Sequence, residues 1–227
     1  MDTSTSTHAG ASPLWEKMWS RGVGRGQAFD VGQASPTLVG ELARSMHATR
    51  AGMTALVPGC GRAYDALALA QHGFEKVQAV DLSQSACDAA QQELKEAGCP
   101  EAAKVEVACV DFFALQGSFD FIWDCTFLCA LDPSVREQWA SKTQSLLAPG
   151  GVLLTCVFPI CSKVGGPPFA MSVPLVESLL ETVGLELVDV REDLPPDQKH
   201  APGGAGSLGD VGTALMTWRA PRSQLSA

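Results

Sequence analysis

The sequence ALVPGCGRAYDALALAQHGFEKVQAVD, residues 55–81, decides the fold of this chain. Its apolar start predicts a buried strand, and the turn Gly59-Cys60-Gly61 that follows leaves the backbone open to the approach of a ligand. Apolar residues at helical spacing come next, and the apolar run over 77–80 predicts a second buried strand that ends at Asp81. The stretch therefore has the strand, turn, helix and strand of half a nucleotide-binding unit.

Two residues of this stretch indicate which nucleotide it binds. Asp81 follows the turn by about twenty residues, and a carboxylate so placed accepts hydrogen bonds from both hydroxyls of a ribose. A dinucleotide fingerprint would carry a third glycine at position 64, where a pyrophosphate requires close packing, but Tyr64 stands there. S-adenosylmethionine has no phosphate and needs no third glycine, so we expect it rather than a nicotinamide dinucleotide.

Length and composition indicate one globular domain that acts on a small molecule. The chain has 227 residues, 46% of them hydrophobic, and no apolar run reaches the roughly eighteen residues of a membrane helix. A net charge of -9 without clustered Lys and Arg argues against nucleic acid as a partner. The polar N-terminus lacks the regions of a signal peptide, so we expect a soluble cytoplasmic protein with no membrane partner, acting as a monomer.

The cysteines indicate neither a metal site nor a disulfide framework, because they lack paired C-x-x-C spacing. We predict no metal and expect most of them to be small core residues in a reducing compartment. The eight are Cys60, Cys87, Cys99, Cys109, Cys125, Cys129, Cys156 and Cys161.

The N-terminal region combines a polar tail with a segment that could cover the ligand. Residues 1–12 are expected to be disordered, which leaves a single domain over 13–227. Trp15 and Trp19 lie on one face of a predicted helix. They either staple this segment to the core or place an indole against a sulfonium, a cation–π contact of roughly 1 to 2 kcal/mol. A glycine-rich loop and a helix with an apolar face complete a predicted lid over 13–50. That apolar face consists of Leu38, Val39, Leu42 and Met46.

After residue 81 the chain alternates predicted helices and strands, as in an α/β sheet. Asp111 follows the third strand, where it either bonds an adenine amino group, with Phe112 on the ring, or serves as a turn residue. The loop over 159–174 is apolar and is expected to wall a pocket, and the loop over 195–212 is expected to be mobile. Strands are predicted over 104–110, 119–123, 152–158, 185–190 and 214–219, and helices over 83–97, 135–147 and 174–183.

Seven sequence blocks, spread over almost the whole chain, are typical of one enzyme family. They are WEKMW (15–19), LVPGCGRAYDALALA (56–70), VQAVDLSQSA (77–86), VDFF (110–113), FDFIWDCTFLCALDPSVREQWA (119–140), LLAPGGVLLTCVFP (146–159) and VGGPPF (164–169). Together they resemble the S-adenosylmethionine-dependent methyltransferases that include thiopurine methyltransferase and the halide/thiol methyltransferases, and they look closer to the halide/thiol branch. The resemblance implies a Rossmann-like class I methyltransferase. This is an α/β fold with a mostly parallel seven-stranded sheet, an antiparallel last strand and helices on both faces.

The resemblance also implies which residues hold the cofactor. By position, Trp15, Trp19 and Phe29 close over S-adenosylmethionine, Gly59 lies against its amino-acid end, Asp81 takes the ribose, Asp111 and Phe112 hold adenine, and Cys125 faces its methyl group. Two positions depart from the family pattern: Phe29 stands where the family commonly has Trp, and Cys125 where it commonly has Tyr. The second departure bears on the acceptor, because a small thiol replaces a phenol.

The expected reaction is methyl transfer to a small soft nucleophile, namely a halide, thiocyanate, bisulfide or a small thiol. Such nucleophiles are anionic or nearly so at neutral pH, so alignment and removal of water suffice and no catalytic base is assigned. A covalent role for Cys125 is disfavoured, since no base or positive charge adjoins it in sequence. Bulkier aromatic or heterocyclic thiols, arsenicals, a nicotinamide oxidoreductase and a non-enzymatic binding module remain alternatives. The predicted acceptor pocket consists of Cys125, Thr126, Phe127, Val164, Pro167 and Phe169.

Overall fold

One seven-stranded sheet forms the centre of the protein. The computed structural model describes residues 12–45, 51–200 and 211–222. The strands are β1 (Thr54–Pro58), β2 (Lys76–Asp81), β3 (Val105–Cys109), β4 (Phe119–Cys125), β5 (Leu147–Ile160), β6 (Glu186–Arg191) and β7 (Gly212–Arg219). They lie in the order β3-β2-β1-β4-β5-β7-β6, and β7 runs antiparallel to β5 and β6 while the other neighbours pair in parallel. The predicted mostly parallel sheet with an antiparallel last strand is confirmed.

Helices cover both faces of this sheet, as predicted. Side chains alternate between the faces of a strand, so β1 contributes Leu56 to one core cluster and Ala55 and Val57 to another. A strand that is apolar on both faces needs cover on both sides, which explains the continuous apolar run in the sequence. In the described residues the α-helices are α1 (Ser12–Trp19), α2 (Pro36–Arg44), α3 (Tyr64–Gln71), α4 (Gln84–Ala97), α5 (Arg136–Leu146) and α6 (Val173–Thr182).

The first predicted helix after the lid loop has a narrower apolar face than its sequence indicated. Leu38 and Leu42 of α2 are buried, but Val39 is 49% exposed, and Met46 lies outside the described residues. The third buried residue of α2 is Thr37 and not Val39, because the segment around Gln198 packs against the helix at Thr37.

A strand start and the start of a loop also differ from the predictions. Strand β5 begins five residues early, because Leu147 pairs with Phe119 before an irregularity in register, after which Val152 pairs with Phe121. The start of the loop predicted to be mobile, 195–200, packs against α2: Thr37 Oγ1 donates to the carbonyl of Gln198 at 2.6 Å. Residues 201–210 lie outside the described part of the chain.

The predicted N-terminal tail, residues 1–12, also lies outside the described part, except for its last residue, which begins α1. Among the described residues, none of the helices is long and apolar enough to cross a membrane.

Candidate active site

A cavity of about 600 Å³ lies at the carboxyl ends of the parallel strands. Gly59 follows β1, Asp81 ends β2 and Cys125 ends β4, and all three line the cavity. Strand β1 lies between β2 and β4, so the order of the strands reverses at β1. The connections on the two sides of this point run in opposite directions, and a crevice opens between these connections. The cavity therefore occupies the place where open α/β sheets bind their ligands, and its volume is typical of small-molecule sites.

The glycine turn after β1 has a shape that only glycine adopts without strain. Gly59 and Gly61 have φ angles of 59° and 52°, and Cys60 N donates to the carbonyl of Val80 at 3.0 Å, which ties the turn to β2. A β-carbon on Gly59 would come 2.7 Å from Cδ2 of Phe127. The missing side chains therefore leave the room in which a ligand can approach the backbone.

Asp81 presents a carboxylate to the cavity with acceptor capacity to spare. Its Oδ2 accepts from Gly61 N at 3.1 Å and its Oδ1 from Ser83 N at 3.0 Å. Burial raises the pKa of this carboxyl, and the two backbone donors oppose that rise. A carboxylate has about four acceptor positions, so two remain for the hydroxyls of a ribose. The residues present thus fit the ribose of S-adenosylmethionine.

The charges around the cavity favour a cationic ligand. Among the described residues that line it are three aspartates, Asp30, Asp65 and Asp81, against a single arginine, Arg62. Arg62 already pairs with Asp30 at 3.3 Å. An excess of carboxyl groups attracts a sulfonium and repels a pyrophosphate, which agrees with S-adenosylmethionine and disfavours a dinucleotide.

The paired tryptophans both anchor α1 and line the cavity. Glu16, between them, accepts hydrogen bonds from Ser83 Oγ at 2.7 Å and Ser85 Oγ at 2.5 Å, which fixes α1 to the start of α4. The rings of Trp15 and Trp19 lie 5.7 and 5.4 Å from that of Phe29, and all three line the cavity. The two alternatives drawn from the sequence, staple and cofactor cover, are therefore compatible with each other.

The predicted adenine residues do not line this cavity. Asp111 caps a short turn, since its Oδ1 accepts from Phe113 N at 2.9 Å. This is the turn role that the sequence left open. Phe112 is 4% exposed, and its ring meets the ring of Phe127 at a centroid distance of 5.0 Å. It therefore lies one layer behind the cavity wall.

The structure brings together four of the six predicted acceptor-pocket residues. Cys125, Thr126, Phe127 and Pro167 line the cavity. Val164 does not, because its side chain is 95% exposed at the outer end of the loop. Phe169 does not line it either: its backbone N donates to the carbonyl of Cys129 at 2.7 Å, and its ring lies 5.9 Å from the guanidinium of Arg136. For Val164 and Phe169 the predicted place in the pocket is corrected.

The fold also places His200 in this cavity, which the sequence did not indicate. Its Nδ1 lies 3.5 Å from Cys125 Sγ and 3.4 Å from Ser35 Oγ, and its ring meets that of Phe158 edge to face at 4.9 Å. His200 is 5% exposed. It is 75 residues from Cys125 in the chain, beside a Pro/Gly-rich loop, so no spacing pattern could have linked the two.

Asp65 is a second cavity residue that sequence reasoning passed over. It lies in the first turn of α3, within the stretch that decides the fold. Its Oδ2 accepts from Trp123 Nε1 at 2.7 Å and its Oδ1 from Ser35 N at 2.6 Å. Burial raises the pKa of Asp65, and these two donors oppose the rise. An acidic residue at a helix start was the available signal.

The thiol at the cavity floor is neutral. A hydrogen bond with Cys156 and burial raise the pKa of Cys125 well above its ordinary value, although His200 opposes the shift. A raised pKa makes Cys125 a poor nucleophile, although the structure places a base, His200, beside it. That Cys125 forms no covalent intermediate stays a prediction. Among the described residues, no group of three or more His, Cys, Asp or Glu side chains could hold a metal ion.

The sheet order, the glycine turn and the acidic residue at the end of β2 define a class I S-adenosylmethionine-dependent methyltransferase. Solved structures of this class share the fold. The magnesium protoporphyrin IX methyltransferase of Synechocystis PCC 6803, solved with bound S-adenosylmethionine, has a TM-score of 0.69 at 15% identity and covers 97% of this chain and 100% of its own. A TehB-like methyltransferase of Corynebacterium glutamicum has a TM-score of 0.57 at 18% identity, covering 94% and 97%.

Within this class the chain belongs to the thiopurine S-methyltransferase family, whose profile matches residues 11–211. A probable thiol methyltransferase of Arabidopsis thaliana is 35% identical over 78% of this chain and 75% of its own. Thiocyanate methyltransferase 1 of Brassica oleracea is 34% identical over 79% and 76%. Thiopurine S-methyltransferase of Pseudomonas fluorescens is 32% identical over 86% and 94%. The family, the cofactor and the enzyme class predicted from the sequence are confirmed.

Proposed function

We propose that this enzyme methylates small, soft nucleophiles: bisulfide and small thiols, thiocyanate and halides. The observation that carries the proposal is the size of the cavity. About 600 Å³ must hold both S-adenosylmethionine and the acceptor, and this volume is within the range of roughly 300–1,000 Å³ that is typical of a site for one small ligand. A small acceptor therefore suits the cavity better than a bulky one. The thiol and thiocyanate methyltransferases among the relatives support the same chemical class.

We assign the two ends of the cavity as follows. The cofactor side consists of Gly59, Gly61 and Asp81, covered by Trp15, Trp19 and Phe29. The segment over 13–50, to which these aromatic residues belong, is proposed to act as a lid on a single domain over 13–227. Asp111 and Phe112 are proposed to act on adenine only indirectly, by supporting Phe127 from behind. The acceptor side consists of Ser35, Cys125, Phe158, Pro167 and His200.

The residues of the acceptor side favour the reaction by alignment and by exclusion of water. Bound S-adenosylmethionine supplies an electrophilic methyl group on a sulfonium. Cys125 is 8% exposed and Phe158 is 2% exposed, and together with Pro167 they form an apolar wall. An anion loses its hydration against such a wall, which makes it a stronger nucleophile. The wall also fixes its direction of approach, which replaces a bimolecular encounter with an aligned one.

A second candidate is methylation of aromatic thiols. The rings of Phe127 and Phe158 and the side chain of Leu131 offer apolar surface on which an aryl thiol could pack. The thiopurine S-methyltransferase of Pseudomonas fluorescens is a relative whose printed name fits this class. The two candidates differ in acceptor size and not in mechanism.

The test is incubation of the purified protein with S-adenosylmethionine and, separately, iodide, bromide, thiocyanate, bisulfide and thiophenol, with methylated products measured in the headspace. A higher kcat/KM for bisulfide and thiocyanate than for thiophenol supports small acceptors, and the reverse order supports the aromatic candidate. No methyl product from any acceptor would contradict both and favour a binding module. Tight nicotinamide dinucleotide binding without S-adenosylmethionine binding would favour an oxidoreductase instead.

Two expectations from the sequence stay predictions. The protein is proposed to act in the cytoplasm and as a monomer. Sedimentation equilibrium at micromolar concentration measures the second, and a mass of twice 23.8 kDa would contradict it.

A further inference from the structure

The mechanism above makes no use of His200, a histidine that the fold brings to the cavity wall. His200 is buried beside Cys125, Ser35 and Phe158, and its Nε2 is buried without a hydrogen-bond partner among the described residues. A buried imidazole without a structural partner for one nitrogen is expensive to keep. Its position beside the acceptor therefore calls for a role.

The groups around His200 act on the protonation of its ring. Cys125 faces its Nδ1 from β4, with Cys156 of β5 behind, and the Asp65 carboxyl acts on it from α3. Burial alone would lower the pKa of His200, but the hydrogen-bond contact of its Nδ1 with the neutral Cys125 thiol and the charge of the Asp65 carboxyl favour the protonated ring and raise the pKa above its ordinary value. A base with a pKa close to the working pH is the most effective kind.

We propose that His200 is the proton acceptor for thiol substrates, so that this enzyme uses neutral thiols as well as nucleophiles that are already anions. The inference rests on the proposed function and narrows it. Thiols with a pKa of about 8.5 are almost wholly protonated at neutral pH. A thiol bound against an apolar wall keeps its proton still more firmly, because burial disfavours the thiolate.

The step balances in atoms, electrons and charge. The acceptor sulfur gives its proton to the unprotonated nitrogen of His200, and the electron pair of the broken S–H bond stays on that sulfur. A sulfur electron pair forms the new bond to the methyl carbon, while the pair of the broken sulfonium bond stays with the departing thioether. The sulfonium charge is thereby replaced by an imidazolium. Halides and thiocyanate carry no proton and bypass His200.

The decisive experiment compares a thiol with thiocyanate in the variants His200→Asn and His200→Gln. At pH 6.5 about one percent of a thiol with a pKa near 8.5 is ionised, so its turnover should fall about a hundredfold. Thiocyanate turnover should change less than threefold. In the variants the thiol rate should rise about tenfold per pH unit from 6 to 8, following the thiolate fraction, whereas the wild-type rate should level off above the pKa of His200.

His72→Asn is the matched control, because His72 lies at the end of α3, away from the cavity, and should change neither rate. Equal losses for the thiol and thiocyanate in both His200 variants would reduce His200 to a packing residue and overturn the proposal. Unchanged thiol turnover would overturn it too. A wild-type protein that methylates neither acceptor would contradict the proposed function, and the next measurement still tests His200.

A second readout needs no turnover. The side-chain nitrogen NMR signals of His200 are identified as those lost in His200→Asn. With a non-transferring cofactor analogue that carries an ammonium in place of the sulfonium, adding an alkyl thiol at pH 7.5 should shift the signal of the unprotonated ring nitrogen, because the S–H group donates a hydrogen bond to it. The corresponding methyl thioether, which has no proton to give, should leave that signal unchanged. Identical responses to the thiol and the thioether would overturn the proposal.

Discussion

The glycine turn and the carboxylate proposed to hold the cofactor come from one contiguous stretch, whereas the proposed acceptor side is assembled from five separate segments. Gly59, Gly61 and Asp81 lie within 23 residues and are joined by backbone hydrogen bonds, such as that from Gly61 N to Asp81 Oδ2. Ser35 and His200, on the acceptor side, are 165 residues apart and meet through side chains. Changes on the cofactor side should therefore alter cofactor affinity, and changes behind the acceptor side should alter stability.

The largest effect is expected behind the acceptor side, at Asp124. It precedes Cys125 but points to the opposite face of the sheet, where it accepts from Trp139 Nε1 at 2.9 Å and Leu128 N at 3.2 Å. Burial raises its pKa from 3.8 to about 6. A carboxyl with a raised pKa in the folded state stabilises the fold most below its unfolded pKa, and this contribution is lost as pH rises from about 4 to about 6.

The free energy of unfolding of the wild type should therefore fall by about 3 kcal/mol relative to Asp124→Asn between pH 4 and pH 7, at about 1.4 kcal/mol per pKa unit. Urea denaturation at each pH measures the difference. Asn offers one acceptor oxygen to two donors, so a constant loss accompanies the substitution at every pH. A difference that stays constant with pH would show that Asp124 titrates like an exposed carboxyl.

Asp81→Ala tests the cofactor side with the next largest effect. The variant leaves two ribose hydroxyls without their acceptor, and we expect a loss of about 1.5–3 kcal/mol for the two bonds together, because water replaces part of the lost hydrogen bonding. The Kd of S-adenosylmethionine, measured by calorimetry, should rise more than tenfold and approach a hundredfold. Asp111→Ala is the control, since Asp111 caps Phe113 N and does not line the cavity. A loss above tenfold in that control would restore the adenine role of Asp111.

Gly59→Ala tests whether cofactor binding requires the space beside the α-carbon of Gly59 or only the backbone conformation of that residue. Both Gly59 and Gly52 have positive φ angles, 59° and 78°. A β-carbon on Gly59 would meet Phe127 at 2.7 Å, whereas one on Gly52 would have no atom within 4 Å. We expect each variant to lose about 1 kcal/mol of stability from backbone strain. Only Gly59→Ala should weaken S-adenosylmethionine binding, by about tenfold. Equal Kd values for the two variants would show that the β-carbon at position 59 affects binding only through backbone strain.

The contrast between one contiguous stretch and several separate segments also explains which parts of the fold and the site could be predicted from the sequence. Strands β1 and β2, the glycine turn and Asp81 follow from periodicity and spacing, because neighbours in the chain are neighbours in space along residues 55–81. The seven-stranded sheet with an antiparallel last strand was implied only by the family resemblance. His200 and Ser35 could not be predicted, since their meeting with Cys125 depends on how α2 and the segment before β7 pack over the sheet. The apolar sequence of the segments that follow β4 and β5 indicated Thr126, Phe127 and Pro167 as pocket residues, and all three line the cavity. The sequence could not indicate the course of the loop around Val164.

A substitution in that loop, at Val164, has the smallest expected effect and tests most directly where the acceptor side ends. Val164 is 95% exposed, so Val164→Asp buries no charge and should change the free energy of unfolding by less than about 0.5 kcal/mol. The KM for thiocyanate should also change less than twofold, whereas Pro167→Asp places a carboxylate in the wall and should raise that KM by at least tenfold. Steady-state kinetics at low ionic strength measures both values, since a charge near the acceptor path would then act most strongly. If Val164→Asp raised the KM as much as Pro167→Asp, the loop would have to fold inward over the bound acceptor, and the acceptor side would extend to the residue that the sequence first assigned to it.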